Sequence, residues 1–304
     1  MKHFLEISQI PYNTVVSLIE RAIAFKKMAH YPKYLGNNLV NLFYENSTRT
    51  RVSFQLAANN LGINVVNLDK DFSSEKKGET IEDTIHTLMA MGINLFVIRH
   101  PQNGFAQAIA GLLKENVHII NAGDGTHSHP SQALLDFMTI REQHQDLEKL
   151  KIAIVGDISH SRVANSLQNL CALFAVKDLV MIAPEIWQPK SVLYGRVTTC
   201  LKQGLQDADV IISLRVQRER LEANSVIALD DFHNNYALTK QSIKYAKPKV
   251  MIMHPGPINR GVEIDSDIAD GENSFILQQV TNGVFMRMAI IEALLNSELE
   301  YLRS

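Results

Sequence analysis

Cysteine is nearly missing from this sequence: only Cys171 and Cys200 occur in 304 residues. They lie far apart and match no zinc spacing, which excludes a disulfide scaffold and fits a reducing compartment. An excess of charge is missing too. Thirty Lys and Arg stand against 32 Asp and Glu, a formal net charge of −2. That near-balance argues against bulk electrostatic binding to nucleic acid or to an anionic membrane. No apolar run approaches the roughly 20 residues that span a bilayer. Met1–Tyr12 carries Lys2, His3 and Glu6 early and lacks the apolar core of a signal peptide. The expectation is a cytoplasmic, soluble protein with no membrane or nucleic-acid partner. Repeats and low-complexity tracts are absent. So is a P-loop, which needs Gly-x4-Gly-Lys-Ser/Thr. Gly156-Asp157-Ile158-Ser159-His160 has one glycine where a dinucleotide fingerprint has three, so no nicotinamide or flavin cofactor is expected.

What is present is an ordinary globular composition, 46% hydrophobic and 20% charged, long enough for about two domains. Short apolar runs alternate with stretches of helical period. Val40–Tyr44, Val65–Leu68, Leu95–Ile98 and Val117–Ile120 read as strands. Helices are expected over Arg49–Leu61, Thr80–Met91 and Phe105–Lys114, with Ile81, Ile85, Leu88 and Met89 on one face of the second. A helix over Ser131–Gln143 and the polar stretch Gln143–Lys149, a boundary candidate, come next. The pattern then restarts. Ile152–Val155, Leu179–Ile182, Val210–Leu214 and Val250–Met253 read as strands, Ser161–Phe174 as a helix, and Gly283–Tyr301 as a long final helix. This order predicts an α/β protein of two domains, each a parallel sheet flanked by helices.

Ligands of such sheets bind beyond the carboxyl ends of the strands, and six strand ends here are polar. After the first strand come Ser47, Thr48, Arg49 and Thr50, where a helix must begin. Free N–H groups and the helix dipole attract an anion there, the hydroxyls donate, and Arg49 offers a planar fork suited to phosphate. Ser and Thr also cap helices routinely, and a cap uses the same N–H groups. Gly123–Gln132 would place His129 and Gln132 at another helix entrance. His127-x-His129 has no companion ligands with metal spacing, so no metal is expected. Ser73–Thr80 reads as a polar loop before a helix capped by Thr80-x-x-Asp83. Such a loop is either plain solvated surface or a lid that carries a lysine to an anion. Arg162, Arg215 and Gln217 suit carboxylate recognition.

Taken together these motifs resemble the aspartate and ornithine carbamoyltransferases over nearly the whole chain. Phe43–Phe54 with its Ser47-Thr48-Arg49-Thr50-Arg51 signature, Lys77-Gly78-Glu79-Thr80, Arg99-His100-Pro101, His129-Pro130-Ser131-Gln132 and His254-Pro255-Gly256-Pro257 occur in family order. The lysine loop, Arg215-Val216-Gln217 and the absence of the ornithine branch's His-Cys-Leu-Pro favour the aspartate branch. Ser131 replaces the usual threonine and keeps its hydroxyl. Gly256 stands where some members have leucine, at a position where a backbone carbonyl does the expected work.

The resemblance implies carbamoyl transfer from carbamoyl phosphate to the α-amine of L-aspartate, a step of pyrimidine biosynthesis, in an active site between the domains. Ornithine or another amino acid is the alternative acceptor. By resemblance Ser47, Thr48, Arg49, Thr50 and Arg99 hold the phosphate, joined by Ser73 and Lys77 from a neighbouring subunit. Thr50, Arg99 and His129 polarise the carbonyl, and Gln132 with the carbonyls near Pro255 and Gly256 holds the carbamoyl NH2. Lys77, Arg162, Arg215, Gln217, Gly256 and Pro257 meet aspartate. The fold implied puts 1–136 plus 284–304 in a carbamoyl phosphate-binding domain and 137–283 in an aspartate-binding domain. A homotrimer without cofactors is the expected assembly, and larger ones with regulatory or dihydroorotase-like chains are compatible with it.

Overall fold

The computed structural model describes residues 1–69, 79–113, 117–216 and 228–301. The chain divides into two compact units, Met1–Leu135 with Thr281–Ser304, and Asp136–Val280.

The first unit opens with α1 (Tyr12–Lys27), followed by β1 (Asn38–Phe43), α2 (Thr48–Asn60), β2 (Asn64–Asp69), α3 (Ile81–Ala90), β3 (Leu95–His100), α4 (Phe105–Leu112) and β4 (His118–Asp124). The strands form a parallel sheet in the order β2-β1-β3-β4, with Leu39 level with Val65 on one side and Leu95 on the other. Leu39–Phe43 and Leu95–Ile98 are buried without alternation, as strands covered on both faces must be. Val40, Leu42, Phe96 and Ile98 pack against Ile85 and Leu88 of α3 and Ile109 of α4, with Ile81 and Met89 partly buried beside them. The stripe expected from periodicity is therefore the packed one. Thr80 caps α3, its hydroxyl accepting the Asp83 N–H at 3.1 Å. The sequence reading contains no helix over α1, although Val15, Leu18, Ile19, Ala22 and Phe25 recur at helical spacing and are all buried.

α5 (Pro130–Gln143) leads into the second unit, where β5 (Lys151–Val155), α6 (Arg162–Leu173), β6 (Asp178–Ile182), β7 (Arg196–Thr198), α7 (Leu201–Leu205), β8 (Val210–Ser213), α8 (Leu229–Tyr236), β9 (Met251–Met253) and α9 (Ser266–Ala269) follow. This sheet is also parallel, in the order β7-β6-β5-β8-β9. Val155, Val180, Ile182, Ile211 and Ile252 form its core with Leu205, Leu238, Ile264 and Ile268. β7 escaped the sequence reading because it is three residues long and has no apolar run. The polar stretch Gln143–Lys149 lies inside this unit and not at its edge. Leu147 and Leu150 are buried there, so its polar residues are the outer surface of a packed 3-10 turn.

The last helix, α10 (Ile276–Tyr301), starts seven residues before the expected Gly283. Gly283 is not a helix start. The buried Arg287 lies over it and donates from Nη1 to the Gly283 carbonyl at 3.0 Å, and an added Cβ would come 2.6 Å from that nitrogen. The chain crosses between units inside α5 and inside α10, at Leu135/Asp136 and Val280/Thr281. No described helix is long and apolar enough to cross a membrane.

Candidate active site

Where the strand order of an open α/β sheet reverses, two chain connections diverge and leave a crevice at the carboxyl ends. In the first unit that point falls between β1 and β3. The chain leaves β1 at Phe43, and the Tyr44 N–H donates to the Arg99 carbonyl at 2.9 Å. Glu45–Thr50 therefore begin beside the end of β3. Arg99 Nε lies 3.3 Å from Glu45 Oε2, and its Nη1 donates to the Ala122 carbonyl at 3.5 Å. These contacts orient the guanidinium. Ser47 occupies the N-cap of α2 in extended conformation, but its side chain makes no capping hydrogen bond. The sequence reading of a cap holds for the position and not for the hydroxyl. The first-turn N–H groups and the helix dipole remain suited to an anion. Arg49 is exposed and Thr50 buried in that first turn.

His129 and Gln132, both buried, sit at the entrance of α5. Gln132 N and Ala133 N donate to the His129 carbonyl at 3.1 and 3.2 Å. The turn before them is organised by Asp124, which is buried and accepts from Gly104 N at 2.7 Å, Ser128 N at 3.0 Å and Asn121 Nδ2 at 3.1 Å. Thus one unit brings together Ser47, Thr48, Arg49, Thr50 and Arg99 at its switch point, and sets His129 and Gln132 on the helix that follows β4.

In the second unit the strand order reverses between β5 and β8. After β5 the chain turns at Gly156, whose φ of +132° and closeness to the Leu214 carbonyl leave no room for a side chain. Asp157, fully buried, accepts from His160 Nδ1 at 2.8 Å and His160 N at 3.2 Å. Ser161 caps α6 by accepting from Ala164 N at 3.1 Å, and Arg162 is the helix's first residue, largely buried. A cation at the positive end of a helix dipole concentrates positive potential in one place, which favours an anionic ligand. Across the switch point the Leu214 N–H donates to the Val155 carbonyl at 2.8 Å, and Arg215 follows. The loop after β9 holds Pro255 and Gly256 half-buried and Pro257 exposed. Gly256 has a φ of +70°. Its missing side chain, read from the sequence as of little consequence, thus permits a left-handed backbone.

Ser73, Lys77 and Gln217 lie outside the described residues. Sequence reasoning gave no role to Asp124 or Asp157, although both stand in the polar runs it singled out, and it did not reach Asn259, Glu263 or Gln279. Glu263 did carry a signal, a carboxylate between Val262 and Ile264 in an apolar setting, which calls for a buried partner. Among the described residues no group of three or more His, Cys, Asp and Glu is arranged to hold a metal ion.

Residues 2–142 match the family model of the aspartate/ornithine carbamoyltransferase carbamoyl-P binding domain, and residues 148–294 match that of the Asp/Orn binding domain. The two matches meet across the polar stretch after α5. An aspartate carbamoyltransferase catalytic subunit of Legionella pneumophila (strain Corby) is 62% identical over 297 residues, covering 98% of this chain and all of the relative. Among solved structures, aspartate transcarbamoylase of Trypanosoma cruzi in complex with carbamoyl aspartate and phosphate superposes with a TM-score of 0.87 at 30% identity, over 95% of each chain. Ornithine carbamoyltransferase of Pyrococcus furiosus gives 0.82 at 28% identity, over 95% of this chain and 96% of that one. The switch-point residues and these matches lead to one conclusion: the chain belongs to the aspartate/ornithine carbamoyltransferase family.

Proposed function

We propose that this protein transfers the carbamoyl group of carbamoyl phosphate to the α-amine of L-aspartate, giving N-carbamoyl-L-aspartate and phosphate for pyrimidine biosynthesis in the cytoplasm. The observation that carries this reading is the placement of cations at both switch points, Arg99 beside the start of α2 in one unit and Arg162 and Arg215 in the other. Two arginines suit the two carboxylates of aspartate. Ornithine, with one carboxylate and a side-chain ammonium, would be repelled by the second. The 62% identity to a catalytic subunit named for aspartate supports the same choice.

In this mechanism Ser47, Thr48, Arg49, Thr50 and Arg99 hold the phosphate and balance its charge as the C–O bond to it breaks. Thr50, Arg99 and His129 stabilise the oxyanion that develops on the carbonyl as the C–N bond forms. Gln132 and the carbonyls of Pro255 and Gly256 hold the carbamoyl NH2. Arg162 and Arg215, with Gln217, Gly256 and Pro257, grip aspartate, so much of the acceleration is proximity. No side-chain nucleophile takes part. Ser73 and Lys77 complete the site from a neighbouring subunit of a homotrimer, an arrangement compatible with larger assemblies that add regulatory or dihydroorotase-like chains.

The test is a direct comparison of acceptors. With carbamoyl phosphate saturating, aspartate is expected to be carbamoylated and ornithine not, and Arg49→Ala to lower turnover by at least about 100-fold without loss of fold. Preference for ornithine, or near-normal turnover of the Arg49 variant, overturns the assignment.

A further inference from the structure

Glu263 and His254 form a buried hydrogen-bonded pair that none of the roles above uses. Both side chains are essentially inaccessible, at 1% and 0% exposure, with His254 Nε2 3.2 Å from Glu263 Oε1. His254 Nδ1 accepts the Gly256 N–H at 2.8 Å. That bond leaves Nδ1 unprotonated, so Nε2 carries the hydrogen that Glu263 accepts. The same carboxylate oxygen accepts the Asn259 N–H at 2.6 Å. The Asn259 side chain then reaches out of the loop, and its Nδ2 donates to the Val216 carbonyl at 3.2 Å. Val216 is the neighbour of Arg215.

The backbone of His254 is tied as well. Its N–H donates to Gln279 Oε1 at 2.9 Å, and Gln279 Nε2 donates to Asp136 Oδ1 at 2.7 Å. Asp136 lies on α5, one helical turn after Gln132. All these bonds fall within the second unit except for the helical step to Gln132. They connect three segments: the 254–257 loop, the end of β8 with Arg215, and α5 downstream of Gln132.

We infer that the buried His254–Glu263 pair, with Asn259 as its outward arm, is the positioning unit that sets the carbamoyl-holding loop in register with Arg215, and thereby fixes the reach of aspartate's amine to the carbonyl carbon. This inference rests on the proposed function and adds positioning residues to it; none of the three touches substrate. Isolated buried charges are costly, and a carboxylate kept in such a place is retained for what it holds. Here one oxygen ties the two ends of the 254–259 loop, His254 and Asn259, and the Asn259 side chain carries that order to Val216, so loss of the carboxylate loosens the loop and its link to β8 together. Misplacement of about 1 Å at a reacting centre costs about 100-fold in rate.

The experiment uses the full-length chain and three variants, Glu263→Ala, Glu263→Gln and Asn259→Ala, with circular dichroism and thermal melting as fold controls. Initial rates give kcat and the KM for aspartate, and product inhibition by inorganic phosphate reads the first unit's anion site. Glu263→Ala is expected to lower kcat/KM for aspartate by about 100-fold, and Asn259→Ala to raise the aspartate KM by about 5- to 10-fold with a smaller change in kcat. Inhibition by phosphate should stay within about 2-fold in both. Glu263→Gln keeps an acceptor oxygen and should recover most of the loss. A folded variant with wild-type kinetics toward aspartate overturns the inference, as does an equal weakening of phosphate inhibition, which would mean general loosening. Should Glu263→Ala fail to fold, the half-exposed Asn259 variant decides alone. A wild-type chain that does not carbamoylate aspartate refutes the function itself, and the inference with it.

Discussion

His3 accepts the Ile119 N–H through Nδ1 at 3.1 Å, a bond that only the neutral ring can make. Burial pushes its pKa down from 6.5 to about 4, and the nearby Lys2 and His118 add to the effect. The unfolded chain therefore takes up a proton that the folded chain refuses. The contribution of His3 to stability is complete above about pH 6.5 and is lost as pH falls toward 4. Replacing His3 with Gln should flatten the pH dependence of the urea midpoint across that window; parallel curves for the two proteins would refute the assignment. At this scale the sequence was informative where a residue type is chemically specialised. Arg49, His129, Arg162 and Arg215 were legible as candidates because they stand just after strand ends or at helix entrances. Asp124 was not, and Glu263 showed only as a carboxylate between two aliphatic residues, since their roles lie in partners such as Gly104 and His254 that only the fold brings near.

The Thr80 cap was legible because a cap is a local event: Thr80 accepts from Asp83 N, three residues on, and Thr80→Ala should lower the unfolding free energy by about 1 kcal/mol in urea titration. The Ser47 hydroxyl, at an equally cap-like position, makes no such bond, and Ser161, read as the first residue of its helix, is its cap. The turn after β5 is a stricter requirement. Gly156 adopts a φ of +132°, and a Cβ would come 2.8 Å from the Leu214 carbonyl. Gly156→Ala is expected to cost about 1–3 kcal/mol and to displace Asp157 with it; an unchanged melting temperature would contradict this. The start of α10 was not legible, because Gly283 reads as a break when its partner Arg287 is not yet known to lie over it. β7 was invisible for the opposite reason: its three residues acquire strand geometry only by pairing with Val180–Ile182.

For the whole molecule, two parallel sheets were legible from the restart of the β-α pattern at Ile152. Periodicity did not show where the units divide, since the crossings fall within α5 and α10, where helical periodicity runs on unbroken; the 136/137 and 283/284 bounds came only from the family resemblance. The proposed homotrimer makes a prediction at this scale. Chains carrying Arg49→Ala and chains carrying Lys77→Ala should each be nearly inactive. Random reassembly of the two should restore activity, with roughly one site in four combining an intact Arg49 with a neighbour's intact Lys77. Verified mixed trimers without any recovery would rule out shared sites.

The two helical crossings also bear on the order in which the chain can become structured as it is made. Domains fold as units, usually in the order of their synthesis. Here the sequence of events is inverted. Asp136–Val280 is an uninterrupted insertion, complete once residue 280 has emerged, whereas the first unit still lacks the fully buried Met286, Ile290 and Leu294 of α10 at that moment. The half translated first is therefore the half that needs the end of the chain, and a chain truncated after residue 280 should hold a protease-resistant second unit and an unfinished first one.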